Sequence, residues 1–310
     1  MDKMILLAGT ANPDLARSIA DHLHIPLGKC VAERFPDGEI GVQLLESVRQ
    51  KALFILQSTA PPVNDHLVEL LALADACRRS AAGRITAIVP YFGYARSDKR
   101  HARREPIAAS MVAEVLQAVG VDHVITFDLH TPQIEGFFHI PVDSLTAVPI
   151  LCNALKDQLS PDVVVVSPDT GRVKMATEYA QRLNSSVVIL HKHRKSGTET
   201  EVTRIVGDVR DRPCLIIDDM ISTGSTMVQG ITALLNAGAR PDITIAATHG
   251  LFIDPAHDRL SQDCIKALFV TDTVSPPFSQ WHSLQVISVA PLIAAAIQRC
   301  VTDGSIQDLF

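Results

Sequence analysis

Aromatic side chains are scarce in this sequence: one Trp, three Tyr and ten Phe among 310 residues, so its core has to be aliphatic. Positive charge is in deficit, with 28 Lys and Arg against 34 Asp and Glu, and the resulting net charge of −6 argues against general affinity for nucleic acid. Glycines do not fall at GxGxxG spacing and no Gly-Lys-Ser/Thr P-loop occurs, so the two common nucleotide fingerprints are excluded. The six cysteines, at 30, 77, 152, 214, 264 and 300, show no CxxC spacing, and are expected to be small buried hydrophobes in a reducing compartment. No uncharged apolar run reaches about 18 residues, so no membrane helix is expected. The first residues lack the basic and apolar regions of a signal peptide, and a cytoplasmic location is the expectation.

What is present begins with size and an apolar fraction of 47%, which suit a well-buried globular enzyme of two domains. The most informative stretch is Cys214–Met227, CLIIDDMISTGSTM. Leu215–Ile217 reads as a strand buried on both faces, with Asp218 and Asp219 at its end. Ser222, Thr223, Gly224, Ser225 and Thr226 follow as a hydroxyl-rich turn leading into a helix over Met227–Leu235. Helix-start amides hold phosphate, Gly permits close approach of the main chain, and carboxylates accept hydrogen bonds from sugar hydroxyls. The alternative is a plain βα turn whose Ser and Thr cap a helix.

Along the rest of the chain, strands and helices alternate, which predicts parallel sheets flanked by helices, an α/β fold. Glu33–Glu39 contains Asp37-Gly38, a hairpin turn signal, beside an exposed-looking Phe35. Tyr91, Phe92 and Tyr94 stand next to the densest basic run, Arg96 to Arg104, an aromatic-basic loop that suits a nucleotide or is simply a solvated surface. His130 follows the strand Val124–Phe127, and Asp169 follows Val163–Val166, both where α/β folds place ligands, while a lone His there is equally read as a structural residue. Ser186–Leu190 reads as a strand and His191–Lys195 as a cationic loop before Gly197. VITFDLHTP at 124–132 and LIIDDMIST at 215–223 share a pattern, which suggests two related domains.

The Asp218 stretch resembles the phosphoribosyl-pyrophosphate (PRPP) loop of the phosphoribosyltransferase fold. Together with FPDGEI, YFGYARSDK, FDLHTPQIEGFF, VVSPDTG and HKHRK, in order over essentially the whole chain, it resembles the ribose-phosphate pyrophosphokinases. The resemblance implies two phosphoribosyltransferase-like domains, at 1–142 and 143–285, with a C-terminal helix in 286–310 packing back on the first. It implies transfer of the diphosphoryl group of ATP to the 1-hydroxyl of ribose 5-phosphate, with Mg²⁺. Phe35, Asp37, Gly38 and Glu39 would reach the ATP of a neighbouring subunit, in a homo-oligomer expected to be a hexamer of dimers, and Arg96, Ser97 and Asp98 would hold ATP from the other side. His130 and Asp169 would meet the metal and triphosphate; oxygen-preferring Mg²⁺ suits Asp169 better than an imidazole. Lys192 and Arg194 would be catalytic cations on a mobile loop, Arg194 also facing the sugar phosphate. Asp218, Asp219 and Ser222 to Thr226 would hold ribose 5-phosphate. No residue stands out as a general base.

Three departures from the family pattern carry expectations. The loop is STGST where DTGGT is usual, so Ser222 replaces an acid, and Ser225 replaces a Gly at a cost if that position needs positive φ. Ser97 replaces the usual Gln. Arg103, next to Arg104, stands where a small hydroxyl residue is common, while Ser47, Arg49 and Ser305 match positions associated with allosteric phosphate and ADP. The competing readings are a PRPP-consuming phosphoribosyltransferase, which leaves the first 140 residues without a role, and a non-catalytic regulatory subunit.

Overall fold

The computed structural model describes residues 4–100, 102–194, 200–276 and 281–309, and the chain divides into two units. The first runs through Thr146 and takes in Thr273–Ser275 and the segment from Ser288 onward; the second comprises Ala147–Asp272 and Pro276–Ile287.

The first unit contains β1 (Met4–Ala8), α1 (Pro13–Leu23), β2 (Cys30–Arg34), β3 (Ile40–Leu44), β4 (Ala52–Leu56), α2 (Val63–Arg79), β5 (Arg84–Val89), α3 (Ala108–Ala118), β6 (His123–Phe127) and β7 (Val142–Leu145). Strands β1, β4, β5, β6 and β7 lie in that order in one sheet, every pair parallel. Leu7, Ile55, Ala87, Val89 and Val124 pack with Leu70 and Leu73 of α2 and Val112 and Leu116 of α3 into one aliphatic core. Local signals set the ends of α1: Asn12 Oδ1 accepts from Leu15 N at 3.1 Å, Pro13 starts the helix, and His24 closes it in the left-handed region.

The second unit contains α4 (Val148–Leu155), β8 (Val164–Ser167), α5 (Val173–Leu183), β9 (Ser186–Arg194), β10 (Thr200–Val206), β11 (Cys214–Ile221), α6 (Ser225–Asn236), β12 (Ile243–Gly250), α7 (Ala256–Leu260), β13 (Ile265–Thr271) and β14 (Leu284–Ile287). Its sheet has the order β10-β9-β8-β11-β12-β13-β14, parallel except for the β9–β10 pair. Val166, Ile216, Ile245 and Leu268 pack with Ile231 and Leu234 of α6. The last helix, α8 (Ala290–Val301), belongs to the first unit and packs on α1.

The described cysteines are all free, and burial pushes the thiols of Cys77, Cys152 and Cys214 up to about 12. These three buried thiols are packing groups.

Candidate active site

Strand β11 lies between β8 and β12, and all eight of its residues are buried. Asp218 and Asp219 sit inside this strand rather than after it. The neighbouring β12 explains the difference: it continues alongside, pairing Met220 with His249 and Ile221 with Gly250, so the ladder carries the chain past the acidic pair. Two carboxylates so deep in a sheet need a counter-charge. Arg172 supplies it, with Nε 3.1 Å from Asp218 Oδ1 and Nη2 2.9 Å from Asp219 Oδ2. Asp218 Oδ1 also accepts from the Asp219 amide at 2.9 Å.

Burial pushes the Asp218 carboxyl well above the usual carboxylate range, the neighbouring Asp219 adds to this, and Arg172 opposes it only partly. Burial disfavours the Arg172 charge, but Asp219 and Asp218 outweigh it and leave the guanidinium held more firmly in its charged form. Arg172 was not among the residues singled out in the sequence. It occupies the 3₁₀ turn Thr170–Arg172 that follows β8, and Asp169 starts that turn, its Oδ1 accepting from Gly171 N at 2.8 Å. Since β8 pairs directly with β11, the turn brings Asp169 and Arg172 to the same strand ends as the acidic pair.

Just beyond β11, Gly224 adopts φ 74° and precedes the first turn of α6, which has no side-chain cap. The helix starts at Ser225, earlier than the sequence pattern predicts, so Ser225 and Thr226 form its first turn. The left-handed position is therefore the Gly itself, and Ser225 carries no positive-φ strain. The Thr223 and Ser225 hydroxyls lie 3.2 Å apart. Ile253 N donates to Ser222 O at 3.0 Å and Arg259 Nη1 to Thr223 O at 3.0 Å, holding the turn in place from α7 and the segment before it. Uncapped amides at a helix start are anion-binding groups.

Lys192 and Arg194 lie on β9, opposite Val202 and Thr200 of β10, so their backbone is strand rather than loop. Pairing with an antiparallel partner accounts for this, because a ribbon beyond the core needs no apolar alternation. Ser167, the last residue of β8, stands opposite Ile189, so β9 runs on past the carboxyl end of β8 where Asp169 begins. The side chains of Lys192 and Arg194, and residues 195–199 beyond them, lie outside the described residues.

In the first unit, β2 and β3 form a hairpin whose tip holds Phe35, Asp37, Gly38 and Glu39, all exposed. Phe35 is 45% exposed. The tip is a tight turn: Gly38 N donates to Phe35 O at 2.9 Å, Glu39 N to Asp37 Oδ1 at 3.1 Å, and Gly38 takes φ 95°. Arg34, at the base of the tip, forms an ion pair with Asp65 of α2. A cavity of about 540 Å³ adjoins Asp65 and is lined also by Tyr91, Tyr94, Arg96 and Ser97. Rings and a cation on one wall suit a base and a phosphate. Ser97 also closes the start of α3, its Oγ accepting from Ala108 N at 3.2 Å and its carbonyl from Ala109 N at 3.2 Å.

The turn after β6 meets the same loop. Thr131 Oγ1 donates to Asp98 Oδ2 at 2.9 Å, which joins the chain just past His130 to the Arg96–Asp98 segment. These loops leave the carboxyl ends of β5 and β6, adjacent parallel strands. Ser47, Arg49, Arg103, Arg104 and Ser305 are exposed, and Ser305 O accepts from Arg299 Nη1 at 2.8 Å.

Two family models match the chain: one described as the N-terminal domain of ribose phosphate pyrophosphokinase, over residues 4–120, and one as the phosphoribosyl synthetase-associated domain, over residues 197–310. A ribose-phosphate pyrophosphokinase of Chromobacterium violaceum is 44% identical over 312 residues, spanning 100% of this chain and 95% of the relative. One from Clostridium tetani is 43% identical over 309 residues, spanning 98% and 96%. The crystal structure of phosphoribosylpyrophosphate synthetase from Mycobacterium smegmatis has a TM-score of 0.91 to this fold at 40% identity, over 97% of this chain and 100% of that one.

Proposed function

The chain belongs to the ribose-phosphate pyrophosphokinase family, and from that membership and the site we infer that it makes PRPP and AMP from ATP and ribose 5-phosphate. One observation carries the reading at the level of residues. The Arg172-held pair Asp218 and Asp219 runs within a few residues into an uncapped helix start at Gly224–Ser225. Carboxylates beside phosphate-binding amides match a sugar that bears hydroxyls at one end and phosphate at the other.

In the reaction, the 1-hydroxyl oxygen bonds to the β-phosphorus of ATP, the bond from that phosphorus to the oxygen bridging the α-phosphate breaks, AMP leaves, and the hydroxyl proton is released. Positioning and charge neutralisation do most of such work. Asp218 and Asp219 accept hydrogen bonds from the ribose hydroxyls, in an orientation that Arg172 fixes. The first turn of α6, with the hydroxyls of Ser222, Thr223, Ser225 and Thr226, holds the 5-phosphate. Lys192 and Arg194 bring positive charge to the transferring group from the β9–β10 ribbon. Arg96, Ser97 and Asp98 take the nucleotide beside the Tyr94 cavity, and the exposed hairpin tip serves the nucleotide of a neighbouring subunit in a hexamer built from dimers.

The family implies a divalent metal, for which we propose Mg²⁺. Asp169 fits it: an oxygen donor at a strand end, with Gly171 N anchoring one carboxylate oxygen. Mg²⁺ would neutralise phosphate charge; His130 would face the triphosphate. Among the described residues no helix is long and apolar enough to cross a membrane, and we place the protein in the cytoplasm.

The test is AMP release from Mg-ATP and ribose 5-phosphate, with and without inorganic phosphate. The native protein turns over and Lys192→Ala loses activity by about 100-fold or more. A pure, folded native protein that releases no AMP would refute the assignment.

A further inference from the structure

Away from the residues assigned above, one side-chain cluster in the first unit unites three kinds of metal-binding atom. His123 opens β6, Asp143 lies on β7, and Cys300 lies in the last turn of α8. Residues two apart on a strand share a face, and Asp143 stands opposite Ile125, so His123 and Asp143 come together on the same side of the pair. His123 Nε2 is 2.6 Å from Asp143 Oδ2. Helix α8 then delivers the thiol, and the three ligand atoms all lie within 4.8 Å of one another. The imidazole is 3% exposed and the Asp143 side chain 22%, with Cys300 partly exposed, so the cluster is shielded on the imidazole side and open to solvent on the other.

A buried His–Asp pair alone is an ordinary structural contact. The added sulfur changes the chemistry. One imidazole nitrogen, one carboxylate oxygen and one thiolate make a set that zinc binds at about 2.0–2.3 Å in tetrahedral geometry, which places ligand atoms about 3–4 Å apart. Small side-chain rotations reach that spacing from the present one. Mg²⁺ and Ca²⁺ prefer oxygen throughout, so the set discriminates against them. On the far side of the ring, Thr86 Oγ1 lies 3.4 Å from Nδ1, the kind of outer partner that fixes a ligating histidine and leaves Nε2 for the metal.

We infer that His123, Asp143 and Cys300 form a binding site for a thiophilic divalent cation of the zinc class, with water in the fourth position. The thiol loses its proton to solvent on binding, and the ion ties the C-terminal helix to β6 and β7. The site is separate from the diphosphoryl-transfer residues.

Cobalt(II) added to the metal-free, full-length protein tests this. A near-ultraviolet sulfur-to-cobalt charge-transfer band develops to one equivalent, persists in millimolar Mg²⁺, disappears in Cys300→Ser and remains in Cys264→Ser. Thr86→Val weakens cobalt affinity about tenfold. In the native chain, without any substitution, zinc protects Cys300 from a thiol-alkylating reagent, read by mass spectrometry. Absence of the band, its survival in folded Cys300→Ser, or equal alkylation of Cys300 with and without zinc overturns the assignment. None of these readouts depends on turnover.

Discussion

Arg172 pairs with two carboxylates buried in strand β11. Breaking such a buried pair from one side leaves uncompensated charge, so Arg172→Met is expected to lower stability by about 3–5 kcal/mol in urea unfolding. It should also raise KM for ribose 5-phosphate, because the carboxylates lose their orientation. Asp218 supports a pH prediction. Its folded pKa is raised, so the folded state binds the proton more tightly than the unfolded chain does. The stability it contributes is fully present below the ordinary carboxylate pKa and is lost as pH rises through the raised value. Asp218→Asn cannot lose a proton, so its melting temperature, relative to the native protein, should improve as pH rises above the ordinary carboxylate range. A constant difference as pH rises would contradict the shift. Asp218 and Asp219 stood out in the sequence because they are adjacent. Arg172 did not, because it lies 46 residues from Asp218 and meets it only through strand pairing.

At the scale of elements, two glycines with positive φ separate conformational from steric cost. Gly38, at the hairpin tip, has φ 95° and nothing within 4 Å of where a Cβ would sit. Gly224 has φ 74°, and a Cβ there would lie 3.1 Å from Leu260 Cγ. Gly38→Ala should cost about 1 kcal/mol from backbone strain alone. Gly224→Ala should cost measurably more by the same denaturant titration and should weaken ribose 5-phosphate binding as the turn shifts. The hairpin turn was legible from Asp37-Gly38, and the buried strands from their apolar runs. The far end of β9 was not, since HKHR at 191–194 has the composition of a loop and its strand form comes from the β10 partner. The helix start at Ser225 was missed for a related reason: a first turn facing solvent needs no apolar residue.

For the whole molecule, the alternation of elements implied an α/β fold with parallel sheets, and two such sheets are present, one in each unit. The scarcity of aromatics likewise translated into cores built mainly of Leu, Ile, Val and Ala, with few rings such as Phe92, Phe138, Phe252 and Trp281. Sequence pattern alone could not place α8, which lies at the end of the chain but belongs to the first unit, because nothing in an amphipathic helix names its docking surface. A hexamer would carry six times the 33.6 kDa chain mass, which light scattering on the purified protein would read directly.

The hairpin tip, exposed on its own chain and assigned to a neighbour's nucleotide, has a genetic consequence. A chain defective at Phe35 and Asp37 still offers intact cations, and a Lys192→Ala chain still offers an intact tip. Under the proposed sharing of sites, each homo-oligomer is expected to be inactive, while random mixed assembly at equal amounts gives roughly a quarter of the sites one sound half from each parent. Two null alleles of this gene, carried in one cell, would therefore complement each other.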